Sequence, residues 1–213
     1  PYDARPRHRG QDPLLFLDLR AVRRRVLAEA RGRSVLNLFA YTCGVGVCAA
    51  RAGASEVWNV DFAASALDVG RRNAALSGVE MTFIQDDCLP VLRQLAGLPV
   101  GRKKPDTRLD ARTFDLVVLD PPTRSTGPWG AVDLVRDYPT LFKPAVLATA
   151  PGGTIIATNH VAGVDRDGWH DVLQRAARKA GRPLADLEVL EPEEDFPSFD
   201  AQPPLKVAIC RVS

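Results

Sequence analysis

Three carboxylates in this chain close short apolar runs: Asp61 ends residues 57–61, Asp87 follows residues 81–85, and Asp120 follows residues 114–119. A carboxylate at the end of a buried strand can accept hydrogen bonds from a ribose diol or another polar ligand group. A fourth corner lies earlier. The apolar run 35–39 breaks into Tyr41-Thr42-Cys43-Gly44-Val45-Gly46, and a helical stretch follows over about residues 45–52. A strand, a glycine turn and a helix in that order offer unpaired N–H groups at the helix N-terminus, and glycines let a ligand approach the backbone. The first half of the chain therefore reads as a holder for a nucleoside-bearing cofactor.

The loop chemistry narrows the choice. A dinucleotide-binding loop carries G-x-G-x-x-G. Here only Gly44 and Gly46 are present, with no third glycine three residues on. A pyrophosphate fits that loop poorly, and NAD is disfavoured. S-adenosylmethionine has no phosphate and tolerates a looser loop. Asp120-Pro121-Pro122-Thr123, at the end of a later strand, strengthens that choice.

These residues need elements to position them. Apolar runs predict strands at 35–39, 57–61, 81–85, 114–119, 154–158, 187–190 and 206–212. Helical spacing predicts helices at about 19–30, 45–52, 63–76, 88–96 and 167–180, and over 132–150 with breaks at Pro139 and Pro144. Asp18 suits the first N-cap. Residues 124–130 read as a loop. The pattern implies an α/β fold: a Rossmann-like, seven-stranded, mostly parallel sheet with helices on both faces and a C-terminal antiparallel hairpin. Residues 1–17 read as an N-terminal arm and 18–213 as a single domain.

Composition excludes several classes. The chain has 213 residues, 46% hydrophobic and 25% charged, with a net charge of +2. That balance suits one globular domain and does not by itself mark a nucleic-acid binder. Four cysteines at irregular spacing form no C-x-x-C pair, so no metal site is expected, and a reduced cytoplasmic thiol set is the plain reading. No apolar run is long enough for a bilayer, so no membrane is expected. Arg5, Arg7, His8 and Arg9, together with Arg102, Lys103, Lys104, Arg108 and Arg112 in the polar stretch 99–113, are candidate phosphate contacts. Arg20, Arg23, Arg24 and Arg25 read as a solvated helix face. The start at Pro1 suggests a fragment.

The chain resembles the catalytic domain of bacterial 23S ribosomal RNA methyltransferases, the group holding a cytosine-C5 and a guanine-N7 enzyme. The resemblance rests on Phe16-Leu17-Asp18-Leu19-Arg20, Leu36-Asn37-Leu38-Phe39-Ala40-Tyr41-Thr42, Val60-Asp61, Ser65, Arg72-Asn73, Asp87, Asp120-Pro121-Pro122-Thr123 and Cys210-Arg211-Val212. It implies S-adenosylmethionine as cofactor and 23S ribosomal RNA as partner. It places the methionine end of the cofactor on residues 42–46, the ribose on Asp61 and the adenine amino group at Asp87. The cofactor set it implies is Phe39, Tyr41, Thr42, Gly44, Gly46, Asp61, Phe62, Asp86, Asp87, Cys88 and Asp120. Catalysis falls to Asp120, Pro121, Pro122, Thr123 and Asn159, and substrate contacts to Arg124, Arg136 and His160. Members of the family usually carry an extra N-terminal RNA-binding domain, and the sequence leaves open whether one has been cut away from this chain. The oligomeric state stays open.

The target atom is the finer question. Cytosine C5 is a poor nucleophile and needs a cysteine thiolate added at C6 first. Family members that do this carry a cysteine after the fifth strand, where this chain has Thr158-Asn159-His160. Guanine N7 has an in-plane lone pair and needs only alignment with the methyl group. Exocyclic amine methylation usually meets an aromatic residue after D-P-P, where Thr123 stands. Guanine N7 is therefore favoured over cytosine C5. Two alternatives remain: a methyltransferase acting on a protein or small molecule, and a degenerate cofactor-binding module in which the Cys43 side chain narrows the methionine pocket.

Overall fold

The fold is a three-layer α/β/α sandwich. It is seen in a computed structural model that describes residues 1–2, 14–100, 105–127, 130–196, 198 and 203–213, with the backbone alone over 124–127 and 130–136. The elements run α1 (Arg20–Glu29), β1 (Ser34–Leu38), α2 (Gly44–Arg51), β2 (Glu56–Asp61), α3 (Ala64–Ser77), β3 (Thr82–Gln85), α4 (Cys88–Leu95), β4 (Phe114–Leu119), β5 (Arg124–Gly127), β6 (Gly130–Asp133), α5 (Leu134–Leu147), β7 (Thr149–Asn159), α6 (Arg166–Lys179), β8 (Leu184–Val189) and β9 (Lys206–Val212).

Seven strands form one sheet in the order β3-β2-β1-β4-β7-β9-β8. β3, β2, β1, β4 and β7 run parallel, while β9 is antiparallel to both β7 and β8. The expected sheet and its antiparallel terminal pair are both present. The central strands are apolar on both sides because helices cover both faces. Leu36, Val117, Leu119 and Ile155 meet α4, α5 and α6 through Leu92, Phe142 and Leu173. Val35, Leu116, Val118 and Ile156 meet α1 and α2 through Val22, Val26 and Ala49.

Three local expectations are corrected. Residues 124–130 were expected as loop, yet β5 and β6 pair as an antiparallel hairpin. Helix α5 runs unbroken through Pro139 and Pro144. Proline removes one intrahelical hydrogen bond, and here Tyr138, Leu141, Phe142, Ala145 and Val146 are all buried on that helix, which offsets the loss. Asp18 does not cap α1. The N-cap is Leu19, without a side-chain cap bond, and Asp18 Oδ1 accepts the Leu19 N–H at 3.0 Å.

Among the described residues no helix is long and apolar enough to cross a membrane, and no His/Cys/Asp/Glu group is arranged to hold a metal ion.

Candidate active site

A parallel sheet leaves its strand C-termini at one edge, where loops can converge on a ligand. β1 lies between β2 and β4, so Asp61 after β2 and Asp120 after β4 flank the end of β1. Two strand spacings separate their strands by about 10 Å. A cavity of 620 Å³ opens there. That lies within the range of about 300–1,000 Å³ usual for small-molecule sites. Its wall includes Phe39, Tyr41, Thr42, Gly44, Asp61, Phe62, Asp120, Pro122, Thr123 and His160. Sequence reasoning brought all of these forward.

Asp61 is held by the loop it serves. Tyr41 N–H donates to its Oδ2 at 2.7 Å, and Ala63 N–H donates to its Oδ1 at 2.9 Å. Burial raises the pKa of its carboxyl, against the lowering effect of the Ala63 and Phe62 backbone N–H groups. No ion-pair partner reaches it among the described residues. The loop that presents it is strained: Phe39, Tyr41 and Cys43 all sit at positive φ, at 56°, 50° and 59°. Non-glycine residues in that region concentrate at functional sites.

The lead-in segment forms another wall, which sequence reasoning missed. Leu15, Phe16, Asp18, Leu19 and Arg23 all line the cavity, with Asn37 and Val45. Thr42 fixes this segment, because its hydroxyl donates to the Leu14 carbonyl oxygen at 2.6 Å. Phe16 packs on Tyr41 with ring centroids 5.3 Å apart.

At Asp120 the hydroxyl of Thr158 donates to Oδ1, and His160 Nε2 lies 2.9 Å from the same oxygen. Tyr138 donates to the Thr158 carbonyl oxygen at 2.9 Å and so holds the end of β7. Burial alone would lower the His160 pKa. The hydrogen bond and charge of Asp120, helped by Asp18, outweigh it and raise the value. A raised histidine pKa gives stability that is complete below the unfolded value of about 6.5 and is lost as pH rises through the folded value. Thermal unfolding between pH 6 and 9 should therefore show the wild-type Tm falling more steeply than that of His160→Asn. Parallel curves would show that the Asp120 pairing does not stabilise the fold.

Several expected site residues lie elsewhere. Gly46 is not on the cavity wall. A Cβ there would come within 2.1 Å of Asn59 Oδ1, which already accepts a hydrogen bond from Asn37. Its lack of a side chain serves helix–sheet packing, not ligand approach. Gly46→Ala should lower stability by about 1–3 kcal/mol in urea denaturation, the usual cost of overpacking. An unchanged midpoint would show that Asn59 can yield.

Cys43 is not on the cavity wall. It is fully buried with Ala40 and Leu67 and packs against Gly70, so it does not narrow the cavity. This removes the observation behind the degenerate-module reading. Cys88 is also internal: it accepts a hydrogen bond from Phe39 N–H and donates to the Val60 carbonyl oxygen.

Asp86 and Asp87 sit beside Asp61 but off the wall. Asp86 is buried and accepts the N–H groups of Asp87 and Thr107. Asp87 caps α4 through Oδ1, which accepts Leu89 N–H at 2.9 Å. Pro121 is buried. Asn159 is also buried, off the wall, with its Oδ1 accepting Val161 N–H.

The side chains of Arg124 and Arg136 lie outside the described residues, as do Arg5, Arg7, His8, Arg9, Arg102, Lys103 and Lys104. Arg112 is committed to Glu56 and to the rings of Trp58 and Phe114. Three of the first-helix arginines are not simply solvated: Arg20 pairs with Asp195, Arg24 with Glu193, and Arg25 with Glu29 and Glu188.

A family profile described as S-adenosylmethionine-dependent methyltransferase matches residues 5–211. The chain belongs to this family. It is 33% identical over 197 residues to ribosomal RNA large subunit methyltransferase I of Aeromonas hydrophila, covering 91% of this chain and 47% of that protein. It is 34% identical over 177 residues to a ribosomal RNA large subunit methyltransferase of Deinococcus radiodurans, covering 81% of this chain and 40% of that protein. The chain thus spans about half the length, or less, of these relatives. In fold it is similar to a putative methyltransferase solved in complex with SAH, with a TM-score of 0.77 at 22% identity, covering 93% of this chain and 50% of that one.

S-adenosylmethionine is the cofactor of the methyltransferase family to which the chain belongs, and the cavity suits it. Asp61 is a buried acceptor with no counter-charge among the described residues, of the kind two ribose hydroxyls satisfy. Phe39, Tyr41 and Phe62 supply aromatic walls.

Proposed function

We propose that this chain is the catalytic domain of a 23S ribosomal RNA methyltransferase, acting on a base at guanine N7 in preference to cytosine C5. In this reading Asp61 takes the ribose hydroxyls and the residues 42–45 turn takes the methionine end. Asp87 has a second oxygen, Oδ2, without a partner among the described residues, and that oxygen meets the adenine amino group. When bound, S-adenosylmethionine supplies a methyl group activated by a sulfonium. Asp120, Pro122, Thr123 and His160 hold the acceptor base against it.

The observation that carries the choice of atom is the placement of the thiols. All four cysteines are buried, and none lines the cavity. Burial raises the pKa of every one. A thiol shielded in this way is a poor nucleophile, so addition to cytosine C6 has no candidate. Guanine N7 needs alignment alone. The similarity to large subunit ribosomal RNA methyltransferases supports the substrate class.

The test is nucleoside mass spectrometry of unmodified large-subunit ribosomal RNA treated with the protein and labelled cofactor. N7-methylguanine is expected. Methylation at cytosine C5 would overturn the choice of atom. RNA affinity that does not weaken with salt would count against a polynucleotide substrate, since phosphate contacts release counterions.

A further inference from the structure

The buried stripe of α1 comprises Leu19, Val22 and Val26, with Ala30 just beyond it. Arg23 falls inside this stripe, four residues after Leu19 and three before Val26. It is only 8% exposed. Its Nη1 donates to the Phe16 carbonyl oxygen at 2.7 Å. Among the described residues no carboxylate pairs with it, although Arg20, Arg24 and Arg25 on the same helix each have one. A buried guanidinium without a counter-charge is costly to keep. Arg23 also lines the ligand cavity. A ligand that carries a negative charge into that wall would complete it.

A second observation sits beside the first. Helix α2 begins on the same wall, where Gly44 and Val45 both line the cavity. Its N-cap residue, Cys43, makes no side-chain cap bond. The first-turn N–H groups of a helix and its positive dipole end favour an anion. Two independent groups that want negative charge therefore share one cavity, and Asp61 is placed elsewhere on its wall for hydroxyl donors.

We infer that Arg23 and the N-terminus of α2 together bind the carboxylate at the amino-acid end of the cofactor. Arg23 is then the residue that selects thionucleosides bearing an amino-acid tail over those lacking one. This rests on the cofactor placement proposed above. It assigns a role to a side chain that sequence spacing hides among its solvated neighbours.

The experiment is calorimetric titration of wild type, Arg23→Gln and Arg23→Lys with two ligands. S-adenosylhomocysteine carries the carboxylate, while 5′-methylthioadenosine has the same nucleoside end and no amino acid. Arg23→Gln should weaken S-adenosylhomocysteine by about 30-fold or more, the usual cost of truncating one partner of a buried charge pair. Its affinity for 5′-methylthioadenosine should stay within about 3-fold of wild type, a margin well under one tenfold step of binding free energy. Arg23→Lys keeps the charge without the planar fork and should fall between; it carries the test if Arg23→Gln does not fold. Unchanged S-adenosylhomocysteine affinity would overturn the inference. So would an equal loss for both ligands, which would mean that Arg23 only holds Phe16 in place. A wild-type protein that binds neither ligand would instead defeat the cofactor placement itself, and the inference with it.

Discussion

Replacing Asp61 with alanine is expected to weaken binding of S-adenosylmethionine and S-adenosylhomocysteine by about 100- to 10,000-fold. The magnitude follows from two lost charge-assisted hydrogen bonds at about 1.5–3 kcal/mol each. Each Asp61 oxygen already receives one backbone N–H, from Tyr41 or Ala63, which fixes the carboxylate in place. Each oxygen keeps another lone pair for a ribose hydroxyl. Burial has raised its pKa, so the charged form is poorly solvated and gains most from new donors. Asp61→Asn should be nearly as damaging, because one oxygen becomes an NH₂ that faces a backbone N–H. Calorimetry measures the loss, and a melting curve checks that the residues 39–43 turn survives. Affinity within about 3-fold of wild type, far short of two such hydrogen bonds, would remove Asp61 from the site.

The second large effect is expected at Asp120. Asp120→Asn should lower kcat for methyl transfer by about 100-fold or more while leaving S-adenosylhomocysteine affinity within a few-fold. Positioning of a reacting base is worth that much. Asp120 Oδ1 is fixed by Thr158 and His160, while Oδ2 has no partner among the described residues. An oriented acceptor on the cavity wall can receive an N–H of the base and set its angle. The amide changes that acceptor and disturbs both donors on Oδ1. Single-turnover rates with bound RNA separate this from weaker binding. A loss confined to KM would mean that Asp120 only helps RNA dock.

Much of this architecture was legible because the central strands are continuous apolar runs bounded by turn residues. The run 114–119 matches β4 to the residue, since both its faces are buried and no alternation obscures its ends. β7 was read five residues short at its start. Pro151-Gly152-Gly153 looks like a turn, but the strand passes through it with a register shift opposite Phe114 and Leu116. The hairpin β5–β6 carries too few apolar residues to announce itself.

In the site, carboxylates at strand ends were readable because strand ends converge by topology. Gly46 and Cys43 were misread because a sequence does not say which way a residue at a strand–helix corner faces: Gly46 is already in the first turn of α2, against Asn59, and Cys43 faces Gly70. Arg23 had a signal that went unused. It sits in phase with Leu19, Val22 and Val26, and a charge in phase with a buried stripe has to answer to something inside the protein.

The order of strands in the sheet has a consequence for synthesis. β8 joins the sheet only through β9, which is made after it and lies between it and β7. At about 5–20 residues per second, residues 190–212 take about 1–5 s to be translated. Through that interval β8 has no place to dock, and the edge of β7 stays open along residues 154–159. Asp186 and Glu188 on β8 put charge on a strand that must wait, which discourages pairing with a stranger. A ribosome paused before β9 would thus hold a nascent chain whose parallel strands are all translated while the β7 edge that β9 covers is still unpaired.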